Sequence, residues 1–272
     1  KGVELQLTGT PVRLSNSFSW DITANYAHNR NRVDALYGDL TSYLVGSRFF
    51  STRIEARLGQ PYGSITGHPA LRDDQGRLIL DETGLPQAAP TAIIGNIQPD
   101  WTGGLINHFR YRNFDFSAQV DARMGGQLWS ATNRFGTYSG ILASTLQGRE
   151  ISVTEPGIDI AGVDGNGNPI TSHVTAEDYF KTIDGIEEYF VFDASYVKLR
   201  ELRLGWNVPE SLTRRLSGYK VGLALVGRNL WTHSNAPNID PETAFSAGNS
   251  QGIEFGQLPA TRSFGIQLNV TP

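Results

Sequence analysis

Seven stretches of this chain alternate apolar and polar residues, and on the apolar side of all seven there is no Asp, Glu, Lys or Arg. The first stretch sets Val3, Leu5 and Leu7 against Glu4, Gln6 and Thr8, and the second sets Phe18, Trp20, Ile22, Ala24 and Tyr26 against Ser19, Asp21, Thr23 and Asn25. A middle pair carries Leu105, Phe109 and Tyr111, then Phe114, Phe116, Ala118, Val120 and Ala122, the last five set against Asp115, Ser117, Gln119 and Asp121. Near the end come Tyr219, Val221, Leu223 and Leu225, and finally Phe264, Ile266, Leu268 and Val270. Period 2 of this kind specifies strands with one dry and one wet side. Water cannot lie on both faces. The pattern fits a sandwich core, and equally a transmembrane barrel with lipid outside and a wet lumen inside.

The stretch SYVKLRELRLGW breaks phase, with Val197 and Leu199 on one parity and Leu202, Leu204 and Trp206 on the other. One extra residue near Arg200-Glu201 restores a continuous apolar side, which predicts a β-bulge there. Asn107 interrupts the apolar side of its own stretch. Short connections are expected at about 10–17, 112–113 and 207–218, the first of them the turn-like TPVRLSNS. They alternate with long ones at about 30–101, 125–191 and 231–259, where extra strands are expected near 49–57 and 76–81. Tight turns at one end and long loops at the other match outer-membrane barrels better than Greek-key sandwiches. Trp20, Trp101, Trp129, Trp206 and Trp231 fall at or near strand ends, where amphipathic rings suit a membrane interface; ordinary core or turn aromatics are the alternative.

Composition removes several other classes. A net charge of -4 without a basic block argues against a nucleic-acid groove. No apolar run approaches the roughly 18 residues of a membrane helix. The absence of Cys excludes disulfides, thiolate catalysis and sulfur-ligated metals. The start at Lys1-Gly2, almost directly in a strand, reads as part of a longer protein.

Longer blocks carry a resemblance. GQPYGSITGH (59–68), LRDDQGRLIL (71–80), QPDWTGGLINHFRYRNFDFSAQVDARMGG (98–126), FDASYVKLRELRLGW (192–206), LVGRNLW (225–231) and GNSQGIEFGQLPATRSFGIQLNV (248–270) occur in this order. They resemble the C-terminal part of SusC/RagA-like TonB-linked outer-membrane transporters. That resemblance implies an all-β fold, an antiparallel segment of a 22-stranded transmembrane barrel with long extracellular loops. Residues 1–272 would be the C-terminal portion of the barrel, with the plug, the TonB box and the earlier strands preceding it. It further implies a Gram-negative, Bacteroidetes-like outer membrane, import of oligosaccharide or peptide, a SusD-like surface lipoprotein as lid and energy from the TonB complex. In such barrels the last strand pairs with the first, whereas an isolated open sheet would misfold, aggregate or curl. These barrels usually end in an aromatic residue, where this chain has Pro272.

On this reading the lipid-facing residues are Phe18, Trp20, Ile22, Phe116, Val120, Val221, Leu223, Leu225, Phe264, Ile266, Leu268 and Val270. Asp115, Gln119, Asp121, Lys198, Arg200 and Arg228 face the lumen, where they contact a polar substrate or hydrate the wall and pair across strands. Trp129, Tyr138, Trp231 and Phe245 are candidates for stacking on substrate, with interfacial anchoring the alternative for the two tryptophans. DGNGNP spaces Asp164, Asn166 and Asn168 as a calcium loop would, but Pro169 and Thr175 occupy the places of its Gly and Glu, so a plain turn is the better reading. Asp73-Asp74 reads likewise as a hairpin tip. His28, His68, His108, His173 and His233 lack zinc spacing, and no catalytic motif is present, so no metal, cofactor or enzymatic activity is expected. The competing function is a soluble or surface-attached all-β glycan-binding module.

Overall fold

The computed structural model describes residues 1–14, 17–149, 156–214, 219–245 and 251–271. In chain order the elements are β1 (Gly2–Leu14), β2 (Phe18–Asn29), β3 (Ser42–Phe49), β4 (Thr52–Arg57), β5 (Ser64–Gly67), β6 (Ala92–Asn96), β7 (Trp101–Tyr111), β8 (Phe114–Met124) and β9 (Gln127–Ser130). Helix α1 (Ala131–Tyr138), β10 (Ile158–Val163), β11 (Pro169–Val174), α2 (Ala176–Thr182), β12 (Val191–Asp193), β13 (Tyr196–Asn207), α3 (Glu210–Thr213), β14 (Lys220–Ser234), β15 (Ile253–Glu254) and β16 (Ser263–Thr271) complete it.

The seven alternating stretches become the seven long strands. They form one sheet in the order β1-β2-β7-β8-β13-β14-β16, every neighbouring pair antiparallel, so the order in space is the order in sequence. Such an up-and-down arrangement needs only hairpin reversals. Among the described residues the sheet does not close on itself: β1 and β16 each pair on one side, β16 is exposed throughout and β1 everywhere but at Val12.

Registers show the faces directly, because residues opposite one another in an antiparallel pair lie on the same side. One row runs Val12, Trp20, Phe109, Phe116, Leu204, Leu225, Ile266 across all seven strands. The next runs Leu14, Phe18, Tyr111, Phe114, Trp206, Leu223, Leu268. The register of β13 shifts between Leu199 and Glu201 against both neighbours, at the predicted bulge, so Val197, Leu199, Leu202 and Leu204 all reach the apolar face. Asn107 is accommodated on this face because it accepts a hydrogen bond from Trp20 Nε1 at 3.0 Å, the pairing a polar group needs where water is excluded.

One expected turn is corrected. TPVRLSNS is mostly strand, since β1 continues to Leu14 with a register shift between Gly9 and Val12 that puts Val12 and Leu14 back in phase. Pro11 is tolerated because an edge strand at a bulge does not need its missing N–H. The turn at Arg112-Asn113 is two residues long, with Arg112 at φ +53°. The expectation for Pro272 lies outside the described residues.

The long connections build separate structure. β3, β4, β5 and β6 form a four-stranded sheet, β12, β9 and β15 a three-stranded one, and β10 and β11 a hairpin; among the described residues none of them pairs with the seven-stranded sheet. The extra strand expected near 49–57 is β4, while 76–81 makes only isolated bridges, such as Arg72 with Leu78 and Leu80 with Pro86. These elements share a core of Ile54, Ile65, Leu80, Ile97, Trp129, Ile158, Phe180, Phe190 and Ile253.

Candidate functional site on the charged face of the sheet

The face opposite the apolar rows is rich in charged residues. Strand alternation puts Asp115, Gln119 and Asp121 on it from β8, and the bulge adds Lys198, Arg200, Glu201 and Arg203 from β13. Arg228 of β14 stands opposite Glu201. All six residues expected to face the lumen therefore share one face. They are cross-linked: Arg200 Nε donates to Asp121 at 2.8 Å, Arg228 Nε to Glu201 at 2.8 Å, and Arg203 to Asp115. Towards the other edge, Arg110 donates to Asp21 at 2.8 Å. Charges paired in this way fix a polar wall without attracting a counter-layer of protein.

The pairing extends to the loop after β14. Lys198 is only 1% exposed, and its ammonium donates to Asp240 at 2.6 Å and Glu242 at 2.8 Å. Arg200 holds the same Glu242, with Nη1 at 2.7 Å and Nη2 on the second oxygen. These bonds, from Arg200 first and then Lys198, lower the Glu242 carboxyl from 4.5 to about 2. Arg203, Asp240 and Glu242 were not singled out from sequence. The bulge phase was the signal for Arg203; nothing local marked the two acids of NIDPET as partners of a strand some forty residues away.

The four aromatic candidates separate. Trp129 is completely buried in the core beneath the loops, so no face of its ring can stack on a ligand and packing replaces the expected contact. Trp231 stands opposite Leu199 on the apolar face, 52% exposed, which places it away from the charged wall. Tyr138 lies on α1 beside a cavity of about 420 Å³ that Phe180, Glu177 and Lys181 also line. Phe245 packs edge-on against Phe49 at 4.6 Å.

The turn reading of DGNGNP has a positive basis. Asp164 Oδ1 accepts the backbone N–H of Asn166 at 2.8 Å and of Asn168 at 2.9 Å, while Oδ2 accepts the Asn168 side chain. Asp73 and Asp81 close the same turn, each with a glycine at positive φ three residues later, Gly76 and Gly84, as Gly167 follows Asp164.

The chain presents an antiparallel meander with an uncovered apolar face, an ion-paired opposite face and elaborate connections at one end, the architecture of an up-and-down β-barrel segment. The chain is homologous to TonB-dependent receptors. It is 27% identical over 300 residues to TonB-dependent receptor P3 of Formosa agariphila, an alignment covering 99% of this chain and 28% of that protein. It is 21% identical over 292 residues to TonB-dependent receptor SusC of Bacteroides thetaiotaomicron, covering 99% and 26%. Its fold is similar to that of the RagAB peptide importer in the 'open-open' state, with a TM-score of 0.66 at 17% identity over 98% of this chain and 28% of the other. The chain thus spans less than a third of the length of the proteins it matches. No protein-family model matches it. The relatives are receptors and a transporter, not enzymes.

Proposed function

We propose that the chain forms part of the wall of an outer-membrane barrel in a TonB-dependent nutrient importer, whose plug and TonB-contacting parts fall outside the share of the relatives that it spans. The observation that carries this reading is the uncovered apolar face. On β16 Phe264 is 81% and Ile266 80% exposed, and Leu204 on β13 and Leu225 on β14, strands paired on both sides, exceed half. A soluble sandwich would bury those side chains under a second layer, and among the described residues none of the seven strands contributes to the core beneath the loops. A lipid bilayer is the solvent such a face requires.

The dimensions agree. Eleven residues of β7, at about 3.3 Å per residue and a tilt of about 40°, span about 25 Å, the height of the apolar band of such barrels. Rings gather at both ends of the strands, with Phe114 stacked on Trp206 near the short turns and Tyr26 against Trp101 near the long connections. Similarity to the RagAB peptide importer and to SusC favours peptide as cargo, a SusD-like lipoprotein over the long loops and an outer-membrane location, with oligosaccharide the other cargo that the family resemblance of the sequence implies. With the short turns on the periplasmic side, the loops face outward to meet lid and cargo.

Membrane fractionation of cells expressing the intact protein tests this. It is expected in the outer-membrane fraction, extracted by detergent and not by alkaline buffer, with heat-modifiable migration in gels. Release by buffer alone contradicts the proposal.

A further inference from the structure

The bulge in β13 does more than restore the apolar phase. Arg200 is the extra residue, and its insertion leaves two cations, Lys198 and Arg200, reaching the same carboxylate of Glu242 from one strand. Bulges re-aim side chains in this way where a site is built. Lys198 is a buried ammonium whose Nζ also lies 5.0 Å over the Tyr196 ring. Asp121 completes the charge pattern behind Arg200. The segment that fills the site is short and acidic. Asp240 accepts Lys198, and its backbone oxygen accepts the Thr243 N–H and hydroxyl, so the two carboxylates are presented together by a turn around buried Pro241. Asp240 Oδ2 also accepts the N–H of Ala260, tying the approach to β16 to the same point.

We propose that Lys198 and Arg200 form a two-cation clamp specific for an Asp-x-Glu segment, and that its occupation by the chain's own Asp240 and Glu242 is the ionic latch holding the outer loop after β14 against the wall. A buried lysine has to be paired or it destabilises its surroundings strongly, so the clamp binds its acidic segment or another ligand of the same chemistry. Ligand choice follows from geometry: two carboxylates one residue apart, one for Lys198 and one shared with the planar Arg200 fork. The contact between strand and loop is the same whatever solute passes the wall.

This chain has no cysteine, so Ala244→Cys, made in an intact protein whose remaining sequence is also free of cysteine, installs a single thiol reporter beside the clamp. In the intact, detergent-solubilised protein, Asp240→Asn with Glu242→Gln should raise the thiol labelling rate at least about tenfold, as loss of a buried pair frees the segment. Gel migration and β-type circular dichroism should be retained. The same double variant should bind an acetylated, amidated Asp-Pro-Glu peptide. The parent, whose clamp is occupied, and a triple variant adding Lys198→Met should not. Glu242→Gln alone serves if the double variant fails to fold, with a smaller rise in labelling. Unchanged labelling, or equal peptide binding by the triple variant, overturns the proposal.

Discussion

The seven-stranded sheet and the structure built by the long connections obey opposite solvent rules within one chain. Beneath the loops, Ile54, Ile65, Ile253 and Trp129 are at most 1% exposed, and the core draws on every long connection. In the sheet, among the described residues, Ala224 is the only hydrophobic side chain of the seven strands that is buried. The loop region is an ordinary water-soluble fold stabilised by removing apolar area from water. The sheet keeps its apolar area outside, and hydrogen-bonded ladders and ion pairs hold the other side. The same residue types are thus buried in one region and left uncovered in the other.

Mutations should separate the two regions. The largest effect is expected from Trp129→Ala, which empties a fully buried site and should destabilise the loop structure by about 3–5 kcal/mol. Protease susceptibility of the loops should rise while heat-modifiable migration of the barrel persists. If both are lost together, the two regions are one cooperative unit. Next is Val120→Arg on the apolar face near mid-strand, expected to cost about 2–4 kcal/mol in a bilayer. The urea midpoint of refolding into vesicles measures it, and Gln119→Arg on the opposite face should cost much less.

A third change tests how the loops hold together. Glu254 is 1% exposed and accepts Ser130 Oγ at 2.6 Å, Thr132 Oγ1 at 2.5 Å and the Gly256 N–H at 2.6 Å, so it binds the start of α1 from a distant segment. Glu254→Ala leaves those donors unpaired and should cost about 1–3 kcal/mol, read as faster amide exchange in α1 with the seven strands unaffected. The smallest effect is that of pH. Because the Glu242 carboxyl is held at about 2 against an ordinary 4.5, its contribution to loop docking is complete above about 4.5 and is lost as pH falls through about 2. Labelling at Ala244→Cys after acid incubation should rise across that window in the parent and less in Glu242→Gln.

What was legible in the sequence follows the same division. The seven-stranded sheet could be read because one apolar and one polar face impose period 2 on every strand, and even the bulge was visible as a phase break between Leu199 and Leu202. The turn assigned to TPVRLSNS was misread because the bulge at Thr10-Pro11 hides the continuation through Val12 and Leu14. The loop structure was opaque. Several of its strands are too short to show a period, β15 with two residues and β12 with three, and their burial depends on partners far away in sequence. Trp129 looked like an interface or ligand ring because its place in that core is set by Ile253 and Val191, to which it pairs. The charged face lies between these extremes. Alternation identified Asp115, Asp121, Lys198 and Arg200, while Asp240 and Glu242 became partners only in three dimensions.

Which solvent touches each face of the sheet is measured directly by nitroxide scanning of β8 in the intact protein in lipid vesicles. Spin labels placed one at a time from residue 114 to 124 should show oxygen accessibility peaking at Phe116, Ala118 and Val120, and accessibility to a water-soluble nickel reagent peaking at Ser117, Gln119 and Asp121. Out-of-phase alternation of the two reagents with a period of two residues is the result expected. Apolar positions closed to both reagents, as under a second layer of protein, would contradict it.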